Sequence, residues 1–255
     1  MLEIIYLFSL ILIGASIGSF INVYVYRAPK IIIDEQTELS LSKPNSFCTI
    51  CNHPVERRFL IPIVGYFLSQ GKCHHCSQEI SIRYPIVEIF YAVIPVLIYF
   101  LMGINSESLI LIVMLLSAYP IIAIDMEHKL LLDSTTLSIL WIVLLLSVFD
   151  YGLVNPSDAI LGAVVGYLIL SIPAFIYRAV KSKDGMGMGD AKLFSAIGAT
   201  FGWMAVPFIL LISSLLGILM YIVLSKKTHS KDFAIPFGPS IIIAAIIFHL
   251  HNIIF

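Results

Sequence analysis

The sequence predicts an all-α polytopic membrane protein with about eight transmembrane helices and a small, zinc-ribbon-like cytoplasmic insert that carries four cysteines. The 255-residue chain is 59% hydrophobic and only 12% charged, and its mean hydropathy is +0.99, which excludes an ordinary soluble domain. All four cysteines fall in the only sizeable polar segment. We therefore expect the lipid bilayer to be a partner of the chain and expect no nucleic-acid partner.

Long apolar runs define the predicted helices, because a span needs roughly 20 apolar residues. The first run has acidic Glu3 at its start and small residues in its middle, so it is interpreted as a retained helix rather than a signal peptide. The predicted domains are a first transmembrane helix at 1–26, a four-cysteine cytoplasmic domain at 27–83 and a multi-helix membrane domain at 84–255. The candidate runs are 4–26, 84–102, 108–125, 134–150, 158–178, a short one at 190–203, 205–224 and 235–254.

The distribution of Lys and Arg predicts the orientation of these helices. If the N-terminus is outside and eight helices alternate, all 15 basic residues fall on the same side of the membrane. By the positive-inside rule that side is the cytoplasm. The cysteine insert, Asp125 and Asp190 would then all lie on the cytoplasmic side or at its membrane boundary.

The insert at 27–83 is too short to fold on core burial alone, and domains of this size usually contain a stabilising cross-link or metal. Cys48 and Cys51 form one C-x-x-C pair, and Cys73 and Cys76 form a second. Two such pairs are typical of a structural zinc site with four thiolate ligands. His74 and His75 could substitute as ligands, and disulfides or a redox-active pair are the alternatives.

Polar residues mark the ends of the first two predicted membrane helices. Asn22 lies inside an apolar run and must find a hydrogen bond, which a packed helix interface can supply, and Arg27 fits an interfacial anchor. Pro85 suits the first turn of the next helix. Glu88 follows one turn in, where the helix dipole favours an acid, and a supporting role in a functional site is an equal alternative.

Asp125 directly continues the apolar run from Leu109 with no polar break before it. Placing an acid inside a spanning helix costs about 2.5–3.5 kcal/mol, so such a residue indicates function. Asp133 precedes the next apolar run and is interpreted as a helix N-cap.

The only glycine-dense charged segment, residues 183–192, brings a second acid, Asp190, to the edge of a hydrophobic helix. Gly185, Gly187 and Gly189 would permit positive φ angles and close approach of another chain, which suits an extended substrate. A phosphate cradle and a flexible hinge are the alternatives; the first lacks the preceding strand that it requires.

Six ordered motifs together resemble the bacterial type IV prepilin peptidases, which are membrane aspartic proteases of the G-x-G-D class. Two differences from the family pattern are Leu132, where the family usually has Pro, and Thr49, also at a usual Pro. The motifs run along nearly the whole chain: Gly18-Ser19-Phe20-x-Asn22-Val23 with Arg27-x-Pro29, the two cysteine pairs, Arg83-Tyr84-Pro85-x-Val87-Glu88, the loop from Asp125 to Asp133, Gly185-Met186-Gly187-Met188-Gly189-Asp190-x-Lys192-Leu193, and Ile235-Pro236-Phe237-Gly238-Pro239.

This resemblance implies that Asp125 and Asp190 are the catalytic pair of an enzyme in the bacterial inner membrane. It implies cleavage of the leader from prepilins and pseudopilins, the precursors used in type IV pili and type II secretion. It also implies N-methylation of the new N-terminus with S-adenosylmethionine. The residues expected to support the site are Gly187, Gly189, Lys192 and Glu88.

The chemistry is also expected from the two acids themselves. Two carboxyl groups at one membrane depth can share a proton, so that one activates water while the other polarises the scissile carbonyl. A proton-coupled transporter would instead place acids near the midplane of repeated, broken helices. A membrane thiol oxidoreductase would place its cysteines on the oxidising side, whereas the basic residues predict that they face the cytoplasm.

Overall fold

The structure is a computed structural model and describes residues 2–33, 39–182, 187–225 and 235–254. Within these residues the secondary structure is helical, with no β-strand and only two isolated bridges, Phe47 with Pro54 and Lys72 with Glu79. The predicted all-α class is therefore confirmed. Gly185, which the sequence analysis placed in the glycine segment, lies outside the described residues.

Nine α-helices and one 3-10 helical turn follow one another along the described chain. They are α1 (Leu2–Ile33), the 3-10 turn (Arg57–Leu60), α2 (Val64–Leu68), α3 (Arg83–Met102), α4 (Ser106–His128), α5 (Asp133–Val148), α6 (Pro156–Lys181), α7 (Met188–Phe201), α8 (Val206–Ser225) and α9 (Gly238–Ile254).

Each of the eight predicted apolar runs overlaps one of these helices. Five helices, α1, α3, α4, α6 and α8, are long and apolar enough to cross a membrane, and α5 and α9 are shorter apolar helices. Helix α1 runs on to Ile33, beyond residue 26 where the first transmembrane helix was predicted to end, and it accommodates Pro29. The described helices thus have the character of a multi-pass membrane protein.

Helix ends follow local capping chemistry. The Asn105 side chain accepts the Ser108 N–H and the Ser108 hydroxyl accepts the Asn105 N–H, which is a capping box at the start of α4. The Asn155 side chain caps α6 by accepting the Asp158 N–H, and Pro156 occupies the first helical position. Gly202, with φ of +79°, ends α7, as expected where the chain must leave a helix in the left-handed region.

The chain divides into two compact units, residues 1–103 and 104–255. In the first unit α1 packs along α3, and the cysteine segment and α2 lie between them in sequence. The Asn22 side chain donates to the Tyr84 carbonyl at 3.1 Å, which confirms that this buried amide finds a partner at the helix interface. Arg27 is buried and donates to the carbonyls of Ser40 and Pro44 at 2.9 and 2.8 Å.

In the second unit α7 occupies the centre, packed against α5, α6 and α9, while α9 also contacts α4 and α8. Nearly every residue of α7 from Ala191 to Phe201 is buried. Glycines bring the α6 and α7 backbones into direct contact, since a Cβ at Gly162 would collide with the carbonyl of Gly198, and one at Gly198 with that of Gly162. This close packing fixes the position of α7 within the unit.

Candidate active site and metal centre

Asp125 lies in the last full turn of α4 and is almost fully buried, with 4% of its surface exposed. Its Oδ2 accepts a hydrogen bond from the backbone N–H of Gly238 at 2.8 Å. Gly238 is the first residue of α9, so the start of α9 orients the Asp125 carboxyl group. A buried carboxyl held in this way is the geometry expected of a functional acid.

Asp190 lies in the first turn of α7 and is partly buried. The N-terminus of a helix stabilises negative charge, because its free N–H groups point towards it. Gly189, directly before Asp190, and Gly238, which binds Asp125, both pack against Leu131. The structure therefore places the two acids, which the sequence analysis singled out on separate helices, on either side of one loop residue.

Leu131, in the loop between α4 and α5, packs against the start of α7, which carries Asp190, and against the start of α9, which binds Asp125. A Cβ at Gly189 would lie 2.7 Å from the Leu131 Cβ, and one at Gly238 would lie 2.8 Å from the Leu131 Cδ2. The expectation of positive φ at Gly187 and Gly189 is wrong: Gly187 has φ of −70°, and Gly189 is helical. Gly189 is required by close packing instead, and the chain that it approaches is the loop at Leu131.

Lys192 links α7 to the start of α5. Its Nζ lies 2.6 and 2.7 Å from the two carboxylate oxygens of Asp133. The prediction that Asp133 caps α5 is wrong, because Leu132 holds the N-cap position without a side-chain bond and Asp133 is the first helical residue. The loop that follows Asp125 is thus attached to α7 on both sides of Asp190, by Leu131 at Gly189 and by Asp133 at Lys192.

The four cysteines of the first unit form a compact cluster. Their sulfur atoms all lie within 4.8 Å of one another, with 3.9 Å between Cys48 and Cys76 and 4.0 Å between Cys51 and Cys73. A tetrahedral zinc ion with Zn–S bonds of about 2.3 Å holds its sulfurs about 3.8 Å apart. A disulfide requires about 2.05 Å, and all four cysteines are free thiols, so the donor set fits a metal ion.

Two similar turns build this cluster. The Cys48 N–H donates to the His53 carbonyl at 2.9 Å, and the Cys73 N–H donates to the Gln78 carbonyl at 2.8 Å. Asn52 and Ser77, each following the second cysteine of its pair, have φ of +56° and +57°. His53 and His75 stack on each other at 4.2 Å. Among the described residues the ligand cluster contains cysteines alone, so the alternative of His74 or His75 as ligands is not supported.

Backbone hydrogen bonds prepare one of the thiols for metal binding. The N–H groups of Cys76 and His75 lower the pKa of Cys73 to about 6. The Gln78 N–H lowers the pKa of Cys76, but burial and the neighbouring sulfurs raise it more, to about 11. A second thiolate beside the first is therefore unfavourable without a cation, and a bound metal would supply the missing positive charge.

Glu88 has a clear structural contact within the first unit. It is 8% exposed, and its Oε2 accepts the backbone N–H of Ile63 at 2.6 Å. This contact attaches the segment before α2 to the beginning of α3.

Comparison with known proteins identifies the family. The model of the bacterial peptidase A24 N-terminal domain matches residues 12–102, and that of the type IV leader peptidase family matches residues 109–222. Curated relatives named prepilin leader peptidase/N-methyltransferase include proteins from Pseudomonas putida (36% identical, covering 91% of this chain and 86% of the relative), Neisseria gonorrhoeae (35%, 94% and 88%) and Aeromonas hydrophila (34%, 95% and 88%). The chain belongs to the type IV leader peptidase family. No solved structure matches the chain significantly.

Membership of the type IV leader peptidase family accords with the two compact units. The N-terminal family model covers most of the first unit, with its cysteine cluster, and the leader peptidase model lies in the second, with Asp125 and Asp190. Together with the five span-length helices, membership makes the chain a multi-pass protein of the inner membrane.

The sequence analysis missed the roles of Leu131 and Gly238 in this leader peptidase. Both stand in motifs that carried the resemblance, but no local rule links an apolar loop residue to two distant glycines. A glycine directly after an aromatic residue and before Pro239, at the start of an apolar run, was the available signal at Gly238.

Proposed function

We propose that the chain is a membrane aspartic endopeptidase that removes the leader peptide from type IV prepilins and pseudopilins and N-methylates the new N-terminus. The observation that carries the peptidase function is that Gly189, directly before Asp190, and Gly238, which binds Asp125, pack against the same loop residue, Leu131, in a member of the leader peptidase family. The relatives named prepilin leader peptidase/N-methyltransferase support the substrate class and the second activity.

In the proposed mechanism the two acids form the catalytic pair and share one proton, because two neighbouring carboxyl groups in a poorly solvated site do not both ionise readily. The ionised carboxyl takes a proton from water as the water oxygen attacks the scissile carbonyl carbon, while the protonated carboxyl donates to the carbonyl oxygen. The C–N bond then breaks, and the amine leaves with a proton from the pair. The protons belong to the pair rather than to one named residue.

Neighbouring residues hold Asp125 and Asp190 in position. Gly238 holds one oxygen of Asp125, so the other is available to water or to the partner acid. Gly189 and Lys192 fix the first turn of α7 against the α4–α5 loop, and Gly187 borders Asp190, since a Cβ there would lie 3.5 Å from its Oδ2. We therefore assign Gly189 and Lys192 positioning roles in the second unit, and Glu88 a structural role in the first.

The four cysteines would hold a zinc ion as a closed structural site. Such an ion contributes folding free energy and takes no part in peptide hydrolysis. The relatives' names include an N-methyltransferase activity, and S-adenosylmethionine would supply the methyl group transferred to the amine that cleavage exposes.

The test is co-expression with a prepilin, scoring the mobility shift on cleavage and the mass of the new N-terminus. Asp125→Asn and Asp190→Asn should each lower cleavage by about 10²-fold or more, because an amide can neither take nor give the proton. The double variant should lose little more, since the pair acts as a unit.

Asp150→Asn is the matched control, because Asp150 is exposed and has φ of +62°, a conformation that Asn adopts readily. Full processing by an Asp190→Asn protein that accumulates normally in the membrane would contradict the aspartic protease mechanism.

A further inference from the structure

A cluster of exposed apolar side chains lies outside every span-length helix, on the 3-10 turn and helix α2 of the first unit. We call it the α2 patch; it comprises Leu60, Ile61, Val64, Phe67 and Leu68. Phe67 is 66% exposed, Leu68 57% and Ile61 51%. A water-soluble surface rarely presents such a contiguous group unless it meets a partner or a membrane.

The outward direction of this patch is set by the packing of Gly65 in helix α2. Gly65 is buried, and a Cβ at this position would collide with the Phe59 carbonyl oxygen. Val64, Phe67 and Leu68 lie at helical spacings of three and four, so they share one face of the helix, and all three are exposed. Helix α2 cannot turn this face inward without breaking the contact at Gly65.

A buried acid attaches the patch to the beginning of a span-length helix. Ile63, directly before α2, has φ of +64°, which is unusual for a β-branched residue. Its N–H donates to the Glu88 carboxylate at 2.6 Å, and Glu88 lies in the second turn of α3. The strained turn is thus stabilised by α3 at the end where that helix leaves the polar insert.

Two arginines adjoin the apolar residues. Arg57 and Arg58 open the 3-10 turn and are exposed, and the guanidinium of Arg58 also lies over the Phe59 ring at 4.7 Å and pairs with Glu56. An apolar face bordered by arginine is the composition of segments that lie in the interface of an anionic membrane.

We propose that the α2 patch is an interfacial membrane anchor, seated in the headgroup region of the anionic bilayer that α1 and α3 cross. The patch is continuous with that bilayer because Glu88 holds it at the end of α3. Phe67 and Leu68 insert among the acyl chains, and Arg57 and Arg58 contact lipid phosphates. This anchor holds the cysteine domain against the membrane surface, and it does not depend on the peptidase mechanism.

The experiment uses the full-length protein with both native tryptophans, Trp141 and Trp203, replaced by Phe. Phe67→Trp is introduced as the reporter, Leu68→Trp as a second reporter, and Thr49→Trp as the control on an exposed polar position of the same domain. The proteins are reconstituted in phosphatidylglycerol-containing vesicles with and without brominated acyl chains. Aqueous iodide measures accessibility from water.

Phe67→Trp and Leu68→Trp should be quenched by brominated lipid and shielded from iodide, and Thr49→Trp should show the reverse. Each arginine near an anionic surface shifts the docking equilibrium by about fivefold, so Arg57→Gln/Arg58→Gln should reduce the lipid quenching of Phe67→Trp. Replacing phosphatidylglycerol by phosphatidylcholine should have a similar effect.

Three results would overturn the proposal. The first is iodide accessibility at both reporters, and the second is equal lipid quenching at Thr49→Trp. The third is shielding that arises only on adding a prepilin or on raising the protein-to-lipid ratio, which would assign the patch to substrate or to a second copy of the chain.

Discussion

Replacing Gly189 by alanine should separate the packing of the α4–α5 loop from the chemistry of the acids. The added Cβ would lie 2.7 Å from the Leu131 Cβ and 3.1 Å from the Leu131 carbonyl oxygen. Ordinary carbon–carbon contacts are about 3.5–4.0 Å, so the two chains must separate by about 1 Å. Rotation of the Leu131 side chain gives no relief, because its Cβ is fixed by the backbone.

The separation should displace the first turn of α7, and Asp190 with it. Overpacking of this kind costs about 1–3 kcal/mol in the free energy of unfolding, and a shift of about 1 Å at a reacting group lowers the rate by about 10²-fold. We therefore expect Gly189→Ala to accumulate in the membrane but to cleave a prepilin about 10²-fold more slowly, as measured from initial rates in proteoliposomes.

Gly187→Ala is the matched comparison, two residues earlier. Its Cβ would make an ordinary contact, 3.5 Å from the Asp190 Oδ2, and the weaker N-cap costs only about 0.5 kcal/mol, so it should retain most of the activity. Leu131→Ala should not rescue Gly189→Ala, because the colliding Cβ remains. Wild-type cleavage by Gly189→Ala would refute the assignment of Gly189 to packing.

Three further predictions concern the ion pair, the metal and the topology. Lys192→Met and Asp133→Asn should each lower kcat severalfold with little change in KM, and the exchange Asp133→Lys/Lys192→Asp should restore part of the loss, as measured by steady-state cleavage. Purified protein should contain about one zinc per chain by elemental analysis, and Cys51→Ser should increase protease sensitivity of the insert more than it reduces cleavage. A reporter fused after Asn105 should behave as periplasmic, because the basic residues place the insert in the cytoplasm.

A specific result would refute each of these three predictions. Wild-type kinetics for both single variants of the ion pair would show that it does not position Asp190. Four oxidised thiols without metal would refute the zinc site. A cytoplasmic reporter after Asn105 would refute the alternation of eight helices.

The long helical runs were predictable because a membrane span needs roughly 20 mostly apolar residues in sequence, which is a strong and local requirement. The cysteine cluster was predictable for a similar reason, since C-x-x-C spacing already sets the two ligands of each turn. Asp125 and Asp190 were recognisable individually by the cost of an acid at the end of an apolar run.

Contacts between distant segments could not be derived in this way. The N-cap rule examines only the residues next to a helix start, whereas the carboxylate of Asp133 is held by Lys192 on α7. The glycine at position 189 led to a prediction of positive φ, but the structure shows that glycine is needed there because Leu131 packs closely against it. Likewise, no spacing rule links Glu88 to the amide of Ile63.

The length of α7 has a consequence for the bilayer itself. Its 14 residues measure about 21 Å, well short of a hydrocarbon thickness of about 30 Å. A lipid-facing helix of this length would suffer hydrophobic mismatch and force the membrane to thin. Because α7 packs against α5, α6 and α9 and is buried from Leu193 to Phe201, protein rather than lipid surrounds most of its length. One end of α7 can therefore lie below the membrane surface without touching an acyl chain.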